Sequence, residues 1–238
     1  MNSANDNEEG DDLQPAYGSG YSSPPCMMHL IDPETGAIVP AAVDLGQMRN
    51  LKRWRRAERE RLLAVRLALP AEQRRRFSER IAEELDRLLG DLVGQIVGVY
   101  WPFRGEPDLR SWMEGLAQRG AICVLPVVVG PKQPLAFRVW RRGDELEPGV
   151  WSIPVPVARQ EATPDIVIAP LLGYDRAGYR LGNGGGFYDR TLAALPQRPL
   201  VVGVGYQRLA IPTIYPQVHD IAMDVIVTED GARAPSST

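Results

Sequence analysis

Residues Ile96–Leu125 read IVGVYWPFRGEPDLRSWMEGLAQRGAICVL. The opening Ile96–Tyr100 is a short apolar run without polar alternation, the pattern of a strand buried on both faces. Leu109, Trp112 and Leu116 then recur at helical spacing within Asp108–Arg119, and Gly120 supplies a stop. Ala121–Leu125 is a second apolar run. Strand, helix and strand in succession form the repeating unit of a mainly parallel sheet covered on both faces.

The same rhythm continues outward. Downstream, Leu135–Trp140 (LAFRVW) mixes apolar and polar positions, as an antiparallel or edge strand does. Asp165–Ala169, Val201–Gly205 and Asp224–Thr228 are further strands, and Gly186–Leu195 opens a helix out of a glycine cluster. Upstream, Leu51, Trp54, Leu62, Val65 and Leu69 share one stripe of a basic helix. Pro70 suits the first turn of a second helix, marked by Phe77, Ile81, Leu85 and Leu88 and stopped at Gly90. The predicted fold is a three-layer α/β/α domain over residues 51–230, with a mainly parallel, Rossmann-like central sheet. Residues 1–50 read as a disordered or irregular arm, and 231–238 (GARAPSST) as a loose tail.

Bulk properties exclude several classes. The chain has 238 residues, 44% of them hydrophobic, enough for a packed core. A formal net charge of −3 argues against a general nucleic-acid binder. No apolar run approaches the ~20 residues of a membrane span. The opening MNSANDNEEGDD has no apolar core of a secretory signal, so the expected location is the cytoplasm. Cys26 and Cys123 lie far apart and read as free thiols. Cys26 and His29 have CxxH spacing but lack a second ligand pair, and the chain's 2 histidines exclude a histidine-rich metal centre.

The segment richest in chemistry is Gly178–Arg190, GYRLGNGGGFYDR. Gly182, Gly184, Gly185 and Gly186 allow positive φ and close approach to the main chain. Successive amides can converge on an anion, and the helix that follows adds positive charge at its start. It lacks the GK[ST] ending of a P-loop and the GxGxxG spacing of a dinucleotide fingerprint. Arg180 can bridge phosphate oxygens, Tyr188 can stack or hydrogen-bond, and Asp189 can cap the helix or hold Mg²⁺. The alternative is a turn without a ligand.

GYRLGNGGGFYDR resembles the signature of the 5-formyltetrahydrofolate cyclo-ligase family, roughly GxRLGxGxGYYD. A basic N-terminal helix, a strand followed by Glu, a Trp-containing IPxP segment and a late acidic residue occur in the family's order. The similarity covers about Leu51 to Glu229. It implies ATP and Mg²⁺ as cofactors, a folate as substrate and a monomer that binds neither nucleic acid nor membrane. Arg55 and Arg59 match the helix positions that reach nucleotide phosphates, with Lys52 as another candidate for the family's lysine. The loop Arg180, Leu181, Gly182, Asn183, Gly184, Gly185, Gly186, Phe187 and Tyr188 would hold ATP. Glu106 and Asp108 fall where family acids face the folate. Trp151 matches an aromatic that packs on the pterin, and Asn183 and Phe187 would also line the substrate. Glu106, Arg180 and Tyr188 are the implied catalytic set; Asp189 and Asp220 would hold Mg²⁺, with His219 beside them in a supporting role.

The implied reaction is ATP-dependent closure of 5-formyltetrahydrofolate to 5,10-methenyltetrahydrofolate, a step of one-carbon metabolism. This sequence departs from the pattern at Phe187, where the family usually has Tyr, and at Asn183 or Gly185, where some members carry a basic residue. GYQRL after Val204 is shorter than the family's form, which leaves the place of Gln207 open. Two alternatives stand: a paralogue activating another substrate with ATP, and a non-catalytic folate- or nucleotide-binding regulator.

Overall fold

The computed structural model describes residues 45–236, so the expected N-terminal arm up to residue 44 and the Cys26/His29 pair lie outside the described residues. The chain divides between Ala57 and Glu58 into two units. Helix α1 (Leu45–Leu67) starts six residues earlier than the sequence pattern gives, from within the segment read as an irregular arm. Everything else belongs to the second unit.

Helix α2 (Ala71–Leu89) follows Pro70 and is stopped by Gly90 at φ 58°, with Ile81 and Leu85 fully buried. Strand β1 (Ile96–Gly98) leads to helix α3 (Arg110–Leu116), shorter than the predicted 108–119 because its end tightens into a 3₁₀ turn before Gly120 at φ 74°. Strands β2 (Ile122–Val128) and β3 (Leu135–Val139) come next, then a ribbon of β4 (Leu146–Pro148) and β5 (Pro154–Pro156). Strand β6 (Ile166–Pro170) is followed by the small hairpin β7 (Gly173–Tyr174) and β8 (Arg180–Leu181), helix α4 (Phe187–Ala194), β9 (Leu200–Val204), β10 (Val225–Thr228) and β11 (Gly231–Arg233).

The main sheet has seven strands in the order β11-β10-β9-β6-β1-β2-β3. Pairings from β10 to β2 are parallel; β3 and β11 run antiparallel at the two edges. The mixed pattern of LAFRVW therefore does mark an antiparallel edge. The GAR of β11, read as the start of a loose tail, is instead an edge strand held by main-chain pairing to Ile226–Thr228.

Side chains of opposite parity on the parallel strands are buried alike, which requires cover on both faces. One face carries Val124, Val167, Ala169, Val201 and Ile226 with Leu192 and Tyr188 of α4. The other parity includes Leu125, Ile168, Val202 and Val227, also buried, and α2 packs across β10 and β11. Trp112 of α3 donates to Asp86 of α2 (2.7 Å), so these two helices share a side. The order reverses at β1: the chain moves from β1 to β2 on one side, then returns to β6 on the other. Ligands of open α/β sheets bind beyond the carboxyl ends of the strands at such a reversal.

Candidate active site

Segments leaving β1 and β6 at that reversal carry most of the residues singled out from the sequence. After β1, Arg104 (φ 47°) and Gly105 (φ 74°) take left-handed conformations and turn the chain sharply. The turn brings Glu106 back, so that its Oε2 accepts the Phe103 amide (3.0 Å). Glu106 is 7% exposed. Burial pushes its carboxyl above the usual range, opposed chiefly by Arg66 and by hydrogen bonds from the Phe103 amide and the Asn183 side chain. Asp108, by contrast, is exposed and does not join Glu106. It accepts the Arg110 amide (3.1 Å) at the start of α3 and pairs with the Arg110 guanidinium. Asp108 thus organises the start of α3.

The β7–β8 hairpin sets the glycine loop. Asp175, buried in its turn, accepts the amides of Tyr179 (3.1 Å) and Ile214 (3.0 Å). Arg180 leaves β8 and forks onto Asp189 of α4, Nη1 to Oδ1 at 3.2 Å and Nη2 to Oδ2 at 3.0 Å. Its guanidinium also lies 5.4 Å from the Tyr188 ring centre. Leu181 is buried, and its carbonyl accepts the Leu172 amide, so it supports the loop from beneath instead of offering a side chain to a ligand. Gly184 (φ 98°) and Gly186 (φ 62°) take conformations that L side chains resist. Among the described residues, the amides of Gly182–Gly186 donate no hydrogen bond. Arg59 of α1 crosses to this loop, donating through Nε to the Gly182 carbonyl (2.8 Å) and resting beside Gly184. Arg55 and Lys52 lie in the first unit.

Three aromatic rings meet in front of the loop. Trp151 stacks on Phe103 (6.1 Å between centres, 9° between planes) and meets the edge of Phe187 (6.4 Å, 77°). Trp151 is 52% exposed and, like Ser152, adopts a positive φ. The β4–β5 ribbon forces this: Pro148 faces Pro154, the Gly149 amide bonds to the Ile153 carbonyl, and the residues between must form a tight corner. Two successive non-glycine residues in that region store strain, commonly a mark of ligand contact. Phe103 was not singled out from the sequence; its place three residues before Glu106 was the available signal.

The carboxylates assigned to Mg²⁺ stand on segments far apart in the chain and are differently occupied. Asp189 Oδ1 also accepts the Ile221 amide (3.2 Å), which draws the segment holding Asp220 to α4. Asp220 accepts the Gln217 amide (2.6 Å), and His219 lies 3.9 Å away as a loose partner. No group of three or more His, Cys, Asp or Glu side chains gathers among the described residues. Mg²⁺ needs only one or two carboxylates when phosphates and waters complete its octahedron. The oxygen donors fit that ion in kind, with Asp189 engaged by Arg180. Burial pushes the Tyr188 hydroxyl far up, so it keeps its proton. Gln207, left open by the sequence, is fixed by its amide to Glu229 (3.0 Å) and by Tyr174 (3.2 Å). Cys123 is buried with its thiol pushed up to about 12, the inert state of a structural cysteine.

A site of this kind, at the carboxyl edge of a parallel sheet, belongs to the small-molecule enzymes of the open α/β class. The chain belongs to the 5-formyltetrahydrofolate cyclo-ligase family, whose profile matches residues 51–229. It is 32% identical to the 5-formyltetrahydrofolate cyclo-ligase of Mycolicibacterium smegmatis over 178 residues, covering 71% of this chain and 91% of that one. The Escherichia coli enzyme of the same name is 29% identical over 170 residues (68% and 93%). The solution structure of Aquifex aeolicus 5,10-methenyltetrahydrofolate synthetase superposes with a TM-score of 0.66 at 28% identity, covering 77% and 94% of the two chains. The Mycoplasma pneumoniae synthetase shares the fold, with a TM-score of 0.61 at 21% identity and coverage of 74% and 98%. No helix among the described residues is long and apolar enough to cross a membrane.

Proposed function

We propose that this protein uses ATP to close 5-formyltetrahydrofolate into 5,10-methenyltetrahydrofolate, releasing ADP and phosphate, as a cytoplasmic monomer. The observation that carries the reading is the meeting of a loop of undonated amides, flanked by Arg59 and Arg180, with a buried acid and an exposed aromatic stack. The γ-phosphoryl group passes to the formyl oxygen and ADP leaves. N10 of the folate then attacks the formyl carbon, and the oxygen departs with phosphate. Phosphoryl transfer asks the protein for positioning and charge neutralisation more than for covalent help. The amides of Gly182–Gly186 serve as fixed donors, with Arg59 and Arg180 as countercharge. Phe103, Trp151 and Phe187 hold the flat pterin, Asn183 lies beside it, and the Glu106 carboxylate accepts hydrogen bonds from its amine edge.

Arg180 and Asp189 hold one another as they stand. A phosphate that draws Arg180 away leaves the Asp189 carboxylate available, and Asp189 with Asp220 would hold Mg²⁺. The ion would supply further charge neutralisation to the phosphates. Tyr188 orients groups through its neutral hydroxyl.

ATP consumption measured over a panel of folates and other formyl or amide compounds tests the reading. ADP release only with 5-formyltetrahydrofolate supports it. Release only with a different compound identifies a paralogue, and tight folate binding without turnover identifies a regulator.

A further inference from the structure

Arg66 was part of no motif, yet it is the largest fully buried side chain of the described chain, at 0% exposure. It stands seven residues after Arg59 on α1, two turns along the same face. That face runs the length of the site: Arg59 reaches the Gly182 carbonyl, Leu62 meets Gly173, and Arg66 reaches the segment after β6. Arg66 Nη1 lies 3.5 Å from the Leu171 carbonyl and 3.8 Å from Glu106 Oε1. Its Nε and Nη2 have no hydrogen-bond partner among the described residues. A guanidinium buried with so few bonds is costly, and tertiary structure ordinarily avoids it unless the charge has a task.

We propose that Arg66 is a positioning residue for Glu106: from beneath the site it keeps the buried carboxylate charged and aimed at the substrate's amine edge. The inference rests on the reading of Glu106 as the folate-facing acid. The groups facing Glu106 are Arg66 from α1, Tyr100 and the Phe103 amide from the segment after β1, Asn183 from the glycine loop, and Tyr188 from α4. Tyr100 and Tyr188 are both held neutral by burial, and the Tyr100 hydroxyl is spent on the Pro107 carbonyl (2.8 Å). Arg66 is itself faced by Glu106, Tyr100, Tyr206 and, with like charge, Arg104. Among the described residues, Arg66 is therefore the one cation that stabilises charge on Glu106. Burial alone drives that carboxyl toward the neutral form. A neutral Glu106 would offer one fewer acceptor and could not discriminate an amine edge by charge.

Carboxyl ¹³C NMR of the full chain, with the Glu106 resonance assigned through Glu106→Gln, reads the ionisation without any need for turnover. The expected result is a Glu106 midpoint below neutral pH in the native protein, raised at least tenfold in proton affinity by Arg66→Met or Arg66→Gln. Arg66→Lys should leave it near the native value. The acid limb of kcat/KM for 5-formyltetrahydrofolate should move upward with the same variants while the KM for ATP stays within about twofold. An unmoved midpoint in either neutral variant overturns the proposal, as does a native midpoint above neutral pH, which needs no variant at all. A uniform loss of activity across pH with the limb in place also overturns it, showing a purely structural role. A midpoint that moves in a protein that turns over no folate leaves the pairing intact and removes the functional reading instead.

Discussion

At Arg66 and Glu106 two opposite charges lie almost out of water, and each is tolerable only beside the other. Removing one partner of a buried pair typically costs about 3–5 kcal/mol, while replacing both is often near neutral. Arg66→Met and Glu106→Gln should each lower stability by that order, and the double variant should recover most of it in denaturant titrations. The sign with pH follows from the raised Glu106 carboxyl. A carboxyl whose folded value lies above its unfolded one stabilises when protonated and loses that contribution as pH rises through the folded value. The deficit of Arg66→Met should therefore shrink on acidification toward the unfolded value of 4.5. The cost of removing one partner of a pair applies to Asp189 as well. Asp189→Ala would strand the 5%-exposed Arg180 side chain, so Asp189→Asn, which keeps an acceptor, is the cleaner probe; it should abolish Mg²⁺-dependent turnover with a small change in melting temperature. For Trp151, which stacks on Phe103 and is half exposed, replacement by Ala should raise the folate KM at least tenfold and the ATP KM little. Steady-state titration of each substrate checks it. Glu106, Asp189 and Trp151 entered as candidates because they stand at motif positions that the resemblance marks. Arg66 did not: among the arginines of α1, only three-dimensional burial tells it apart.

The elements were legible where periodicity is strong. The alternation of buried strands and helices from Ile96 to Thr228 follows from apolar runs that only a doubly covered sheet can hide. The β7–β8 hairpin was not, because two-residue strands carry no period; side-chain bonds from Asp175 define it. Edge strand β11 was missed for a related reason, since Gly231–Arg233 is held by main-chain bonds and shows no apolar pattern. Glycines separate structure from function at this scale. A methyl at Gly203, on the interior strand β9, would meet Ile226 and Met223 at 2.9 Å and Leu171 at 3.0 Å. Gly203→Ala should cost about 1–3 kcal/mol by overpacking, visible in thermal melts, with the KM for ATP unchanged. At Gly184 the surroundings are open except for Arg59 at 3.5 Å, and the obstacle is φ 98°. Gly184→Ala should leave the melt nearly unchanged and weaken ATP roughly tenfold, since the open loop relaxes when free and takes up a strain of about 1–2 kcal/mol only on binding.

Across the whole molecule, the reversal of strand order at β1 determines where chemistry can occur. It gathers Glu106 from the segment after β1, Leu171 and Arg180 from the segment after β6, and the Arg59–Arg66 face of α1 around one carboxyl-terminal edge. At the departures from the family pattern, Phe187 makes a ring contact with Trp151 and Asn183 bonds to Glu106. The account thus turns on one reaction, and the absorbance of methenyltetrahydrofolate reports it directly. With the purified protein, 5-formyltetrahydrofolate and Mg²⁺, methenyl absorbance should rise only when ATP is added, one equivalent of ADP appearing per product. A flat trace with ATP present, or the same rise without it, would contradict the account.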